Sequence, residues 1–322
     1  MVLARPGIWR VSVPARGRGG SRGMSGVSRP SPLGANLVFA INPVLWGSFY
    51  PVTKGALDSA HPIGMIGTSM ATFLIASAVL LPGSRNIRVA TFITAAIGVV
   101  PLAAAYIASA MALNLTTATN TGVFPALTGV IALVISCAVL RRGATQPQMI
   151  AGVLSIIGVI LMIWESSKVG GHWWGDIIAL LSTICYTSYI FTCRWLALDR
   201  ESAKNIAIIQ CFYLGFFGII LSIYYGGADY NSMSSNYIMT ISYIGFGTLV
   251  IPTVISLYMI RWTAPVMVSF IYILEPVWSA VFSFFYLGEM LTMLGYIGAL
   301  VVLAGAALMT FQSVCKTSMR HH

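Results

Sequence analysis

Thr292 to Thr310 reads TMLGYIGALVVLAGAALMT, nineteen residues without a charge, and runs of this kind recur along the chain. About twenty apolar residues in an α-helix cross a bilayer core about 30 Å thick. Inside lipid every backbone N–H and C=O must be paired within the structure, so only helices and closed barrels can span it. A barrel strand would show about ten residues of strict alternation. These runs are longer and continuously apolar, so the spans are helices. Composition agrees: 57% of the residues are hydrophobic and 8% charged, against roughly 25% charged in a soluble domain. The expected fold class is an all-α integral membrane protein.

The pattern predicts ten spans, at about 36–57, 62–81, 89–113, 117–140, 146–164, 173–196, 203–225, 236–260, 263–287 and 291–312. Loops between them are short. The net charge of +10 is orientation charge rather than a nucleic-acid face, because of where it sits. Arg5, Arg10, Arg16, Arg18, Arg22 and Arg29 lie in the N-terminal tail, and Arg85, Arg88, Arg141, Arg142, Arg194, Arg200, Lys204 and Arg261 lie in alternate loops. The other loops hold Lys168 beside Asp58, Glu165, Asp229 and Glu289. Positive charge collects on the cytoplasmic side, which puts both termini inside, in a plasma membrane such as a bacterial inner membrane. Trp164, Trp173, Trp174, Tyr224 and Tyr225 then form an outer aromatic belt.

Four segments follow from this reading: a tail at 1–35, a first five-span unit at 36–165, a second at 173–312, and a short tail at 313–322. The N-terminal tail is rich in Arg, Gly, Ser and Pro, has no acidic residue and reads as disordered. It has no apolar h-region of a secretory signal. An organellar transit peptide is a lesser reading, and Met24 an alternative start. Cys137, Cys185, Cys193, Cys211 and Cys315 have no metal-ligand spacing and read as packing residues. No cofactor and no metal is expected.

The two units repeat each other. Displaced by 147 residues, Thr116 falls on Thr263, Leu127 on Leu274, Ser136 on Ser283 and Gly158 on Gly305. Two units with an odd number of spans, joined in sequence, must be inverted relative to one another. Inverted repeats with interrupted helices mark secondary transporters.

Two stretches carry a family resemblance. WGSFYPVTKG, from Trp46, and YILEPVWSAVFSFFYLGEMLTMLGYIGALVVLAGAAL, from Tyr272, resemble the first helix and the second-repeat ending of the EamA-type drug/metabolite transporter superfamily. The resemblance covers about residues 36 to 312. It implies a 5+5 fold as two inverted repeats, alternating access, and a central cavity lined by spans one, three, four, six, eight and nine. The chain departs from the family in one respect. The first-repeat counterpart of Glu275 is Thr128, and Arg141-Arg142-Gly143 stands where many members have an acidic residue paired with arginine.

The candidate site residues are Trp46, Tyr50, Lys54, Asn120, Thr128, Tyr186, Tyr189, Tyr272, Glu275 and Ser279. In the first span, Pro43, Gly47, Pro51 and Gly55 weaken the helix, while Trp46, Tyr50 and Lys54 share roughly one face. Lys54 lies about 5 Å of rise from the predicted outer end. It either snorkels to the surface or guards the outer mouth for a carboxylate or phosphate. Glu275 lies about twelve residues from either end of its predicted span, roughly 15–18 Å from water. It cannot snorkel, so it must be protonated, paired or facing an aqueous cavity. It is the candidate proton-coupling residue; the alternative is a carboxyl that packs the turn broken by Pro276. Tyr272 and Ser279 share its face. Ser182, Tyr186, Tyr189 and Cys193 form a polar stripe in span six, which either lines a cavity or bonds neighbouring helices. Asn120, Phe124 and Thr128 form a similar line. Pro101 and Pro252 are expected to break spans three and eight, near Tyr106 and Tyr258. Gly152, Gly158, Gly295, Gly298 and Gly305 read as close-packing positions.

These features predict a secondary transporter that exports a small metabolite (an amino acid, an amine or an amphiphilic drug) by alternating access, with proton antiport through Glu275. Import of a small metabolite on the same fold is the alternative. A channel would not need the repeat. An enzyme is not expected, because His61, His172, His321 and His322 all lie outside the spans. The partners are a small-molecule substrate and the lipid bilayer, with no nucleic acid; a homodimer stays open.

Overall fold

A computed structural model describes residues 37–82, 87, 89–140, 144–166, 172–196, 203–226, 235–259, 272 and 274–318. Among these residues every regular element is helical. In chain order they are α1 (Ile41–Ala56), α2 (Pro62–Ala71), α3 (Phe73–Leu80), α4 (Val89–Leu115), α5 (Ala118–Val123), α6 (Thr128–Leu140), α7 (Gln146–Ser166), α8 (Trp173–Leu196), α9 (Ala203–Tyr225), α10 (Ser235–Ser242), α11 (Ile251–Met259), α12 (Leu274–Leu287) and α13 (Met293–Ser318). Six helical stretches among the described residues are long and apolar enough to cross a membrane: Pro62–Leu80, Thr91–Leu115, Ala118–Ile135, Trp173–Thr192, Lys204–Tyr225 and Ser235–Ser256. Gln146–Met162, Leu274–Leu287 and Met293–Leu308 are shorter apolar helices. The expected span 263–287 is described only at Tyr272 and from Leu274 onward. The chain is a multi-pass membrane protein, and Val79, Ile223 and Phe285 are among the apolar side chains exposed on its helices.

The helices deviate where the sequence weakens them. Thr72 separates α2 from α3, with its hydroxyl donating to the Ser69 carbonyl at 2.7 Å, a local bond that competes with the helical ladder. Between α5 and α6 the chain tightens into a 3₁₀ turn, Phe124–Leu127, around Pro125. Ahead of Pro252 the backbone widens into a π-helical segment, Tyr243–Val250. Proline deprives the carbonyl four residues back of its donor, and a π-bulge redistributes that misfit. Pro101 behaves otherwise than expected. It sits inside an unbroken α4, so the loss of one donor does not interrupt this helix. Pro252 likewise lies within continuous helix, and the distortion falls on the residues before it.

The most extensive pairings are α7 with α13, α4 with α8, α2 with α9 and α1 with α12. Small residues permit the closest of them. A Cβ on Gly158 would lie 2.6 Å from the Gly298 carbonyl oxygen, and one on Gly305 would lie 2.8 Å from that of Ala151. These are the close-packing positions expected of a membrane bundle. Gly152 and Gly295 meet no such neighbouring backbone. Gly158→Leu would wedge α7 from α13 and is expected to destabilise the protein by about 3 kcal/mol, read as a lower unfolding temperature in detergent.

Candidate central cavity

The α1–α12 contact brings an acid and an aromatic wall to the middle of the bundle. Gly47 lets the helices touch, since a Cβ there would lie 2.6 Å from that of Trp278. At this approach Tyr50 on α1 donates its hydroxyl to Glu275 Oε1 at 2.8 Å. Glu275 is in the first turn of α12 and 5% exposed. Trp46, one turn before Tyr50, stacks on Tyr272 with centroids 5.4 Å apart and planes at 22°. It also meets Tyr186 of α8 edge-on, at 5.4 Å. Offset and edge-on contacts are the favoured aromatic geometries, so three rings from three segments form one rigid wall.

These groups border a cavity of about 60 Å³. Phe49, Tyr106, Ser109, Thr121, Pro125, Thr128, Ser182, Thr183 and Leu249 complete most of its lining. The walls therefore come from the same six predicted spans that the resemblance implies. The 3₁₀ turn matters here because it sets Thr121 and Thr128 on the cavity from either side of Pro125. Hydroxyls supply the remaining polarity: Ser109 and Ser182 bond at 2.7 Å, and Tyr106 and Thr253 at 2.9 Å. No Lys, Arg or His is among the described lining residues. About 60 Å³ holds a few waters, whereas sites for drug-sized molecules run to about 300–1,000 Å³. A larger molecule enters only if the walls part.

Six of the ten residues singled out from the sequence line this cavity: Trp46, Tyr50, Thr128, Tyr186, Tyr272 and Glu275. The other four are elsewhere. Tyr189 points to α9, its hydroxyl 3.5 Å from Gln210 Oε1. Ser279 is fully buried, 3.5 Å from the Ala118 carbonyl, where α12 crosses α5. Asn120 is 2% exposed; its backbone N–H donates to Thr117 Oγ1, and its Nδ2 has no partner among the described residues. The Cys193 side chain, last in the α8 stripe, lies outside the described residues, as does that of Tyr258.

Lys54 neither extends to the surface as an unbonded cation nor reaches the cavity. Its ammonium donates to the carbonyls of Leu113 at 2.9 Å and Thr116 at 2.5 Å. Helix C-termini leave carbonyls without intrahelical donors, and at the end of α4 those of Leu113 and Leu115 find donors from outside the helix. The backbone N–H of His172 takes the Leu115 carbonyl at 2.8 Å. The adjoining start of α5 is capped as well. Thr117 Oγ1 takes the Asn120 N–H, while the Glu289 carboxylate takes the N–H groups of Ala118 and Thr119, each at 3.0 Å. The Thr119 hydroxyl adds a third bond to Glu289, at 3.1 Å. Thr116 Oγ1 donates to Asp176 Oδ1 at 2.8 Å. Lys54→Met removes two charge-assisted bonds from those carbonyls. It is expected to cost about 2 kcal/mol, measured as a lower unfolding temperature, with Lys54→Arg closer to native.

The sequence profile of the EamA-like transporter family matches residues 33–164 and again residues 173–311. The chain belongs to the EamA-like transporter family. A relative from Archaeoglobus fulgidus named "Uncharacterized transporter" is 24% identical over 300 residues, covering 90% of this chain and 89% of its own. A solved structure described as "Crystal structure of protein" superposes with a TM-score of 0.63 at 14% identity, covering 88% of this chain and 98% of the other; it supports the fold alone. Family and relative point to a transporter rather than an enzyme.

In this EamA-like transporter, sequence reasoning missed Ser109, Thr121 and Thr183 as lining residues. It noted Ser182 and Tyr106 without assigning them to the site. The available signal was spacing: Tyr106 and Ser109 are three apart on α4, and Ser182 and Tyr186 four apart on α8, so each pair shares a helix face. Glu289 was read as loop charge and as the acid of the Gly-Glu pair in the family resemblance, but not as a cap. Its position after Gly288 was the clue to its role in capping α5.

Proposed function

We propose that this EamA-like transporter is a secondary transporter that exports a small metabolite by alternating access, in exchange for protons carried by Glu275. The observation that carries the reading is the Glu275 carboxyl: buried, bonded among the described residues only by Tyr50, and set on an aromatic-walled cavity that no described basic residue lines. A charge near the bilayer centre costs about 2.5–3.5 kcal/mol on insertion scales. Glu275 is relieved of that cost by a proton or by a cation, but not by both at once. This mutual exclusion is what antiport requires, since one ligand can displace another only through a site both need. Aromatic faces attract cations, so an amine, an amino acid or a cationic amphiphile fits the lining better than an organic anion.

The two family-matched stretches act as inverted repeats around this cavity. Both termini lie in the cytoplasm, and the membrane is a plasma membrane. Mass spectrometry of spent medium and cell extracts tests the reading, comparing cells that express the native chain with cells lacking it. A compound enriched outside only with the native chain supports export and names the cargo. With surface expression verified, depletion of a compound from the medium would reverse the direction to import. Identical profiles across hosts with different metabolites would remove the support for transport.

A further inference from the structure

Two kinds of bond close the end of the bundle that carries Lys54: those made within the first half of the sequence, and those that join it to the second, from Glu289 and between Thr116 and Asp176. Lys54 and the carbonyls it holds, Leu113 and Thr116, all belong to the first family-matched stretch. They move together whatever the halves do. Glu289 belongs to the second stretch, and its three bonds reach Ala118 and Thr119 in the first. We propose that Glu289 is a latch: a positioning residue whose carboxylate holds this end of the bundle shut, and whose release is a step of the transport cycle. The proposal rests on reading the cavity as a site reached alternately from two ends.

The local backbone aims the carboxylate. Gly288 follows α12 with φ +67°, a left-handed conformation that glycine adopts without strain. The Gly288 N–H bonds the Phe284 carbonyl at 3.1 Å, and the Glu289 N–H bonds that of Ser283 at 3.3 Å. The first of these is the five-to-one bond of the αL C-cap motif, which ends a helix and reverses the chain. The reversal carries Glu289 back over α5. There two backbone N–H groups and one hydroxyl converge on a single carboxylate, an anion at the positive end of short helix α5. Thr121, one turn further along α5, lines the cavity. The latch thus holds the segment that walls the cavity at this end. Opening here exposes the Ala118 and Thr119 donors to water, which replaces Glu289 as their acceptor.

The proposal is tested on the full chain with its five cysteines replaced by alanine and Thr121→Cys added as reporter. A membrane-impermeant maleimide is applied to vesicles of both orientations. Met290→Cys, built separately at a 62% exposed position beside the latch, identifies the face on which this end lies. Loss of charge-assisted bonds predicts that, from this face, Glu289→Gln and Glu289→Ala are labelled at least about tenfold faster than the Glu289 parent. Glu289→Asp retains a carboxylate and stays near the parent rate. Lys54→Met opens this end by less than Glu289→Ala, because its hydrogen bonds lie within one half and it adds only a longer-range attraction to Glu289. Unchanged labelling in both Gln and Ala variants overturns the latch. So does Lys54→Met opening this end as far as Glu289→Ala, since closure would then reflect the general integrity of that end. Labelling after unfolding in SDS normalises each rate to the amount of protein, and the Gln and Asp pair decides the matter if the alanine variant does not fold. The assay needs no cargo, so the latch can fail while export stands, and the reverse.

Discussion

Glu275→Gln is expected to abolish gradient-driven export, by about a hundredfold or more, while leaving the protein folded. The amide is close in size to the carboxylic acid and can still accept the Tyr50 hydrogen bond made to Oε1 at 2.8 Å. It cannot lose or gain a proton near neutral pH. A neutral residue at this depth also avoids the about 2.5–3.5 kcal/mol that a charge costs there, so expression and thermal stability should hold or rise slightly. A pH gradient across proteoliposomes should drive the native protein and not the variant. Any residual flux in the variant should be indifferent to pH, because no other acidic or basic residue among the described residues lines the cavity. Glu275→Asp keeps the proton chemistry but sets the carboxyl one methylene further from Tyr50, and intermediate flux is expected. Full pH-dependent flux in Glu275→Gln would remove Glu275 from the coupling mechanism.

The second large effect concerns stability. Gly122 on α5 faces Ser279 on α12 so closely that a Cβ would collide with the Ser279 side chain, and it would also lie 3.1 Å from Tyr50 Cδ2. Gly122→Ala must push α12 from α5 or displace the ring that bonds Glu275. Overpacking of this kind costs about 1–3 kcal/mol. Ser279→Gly removes the obstructing atoms. In the double variant most of the loss should be recovered, giving a coupling of at least about 1 kcal/mol between neighbouring sites. Thermal unfolding in detergent measures all four corners of the cycle. Additive losses would show that the two positions do not meet.

Ser279 illustrates how the sequence can indicate a residue and mislead about its use. Helical spacing correctly sets it on the Glu275 face of α12, since the two are four apart. That face, however, serves both the cavity and the α5 contact, and spacing within one helix does not say where a neighbouring helix ends. Tyr189 departs from the cavity for the same reason: the α8 face turns far enough along its length to bring this ring against α9. Glu275, Trp46 and Tyr50 were legible because an acid and two large polar-edged rings are conspicuous in spans otherwise apolar. Lys54 was legible as an anomaly but not as a cap. Its partners are carbonyls of Leu113 and Thr116, and a backbone carbonyl has no signature in side-chain sequence. The helix irregularities divide similarly. Pro125 coincides with the 3₁₀ turn. Pro101 does not break α4, since one lost donor is tolerated when the rest of the ladder and the packing against α8 hold the helix.

The central claim is that one carboxyl serves proton and cargo in turn. Proton flow measured in cargo-loaded proteoliposomes tests it most directly, with a pH-sensitive dye sealed inside and a cargo named by the spent-medium comparison. An outward cargo gradient should move protons inward through the native protein, acidifying the lumen, and should move none through Glu275→Gln. Cargo leaving with no change in luminal pH, or the same acidification in the Gln variant, would contradict the account.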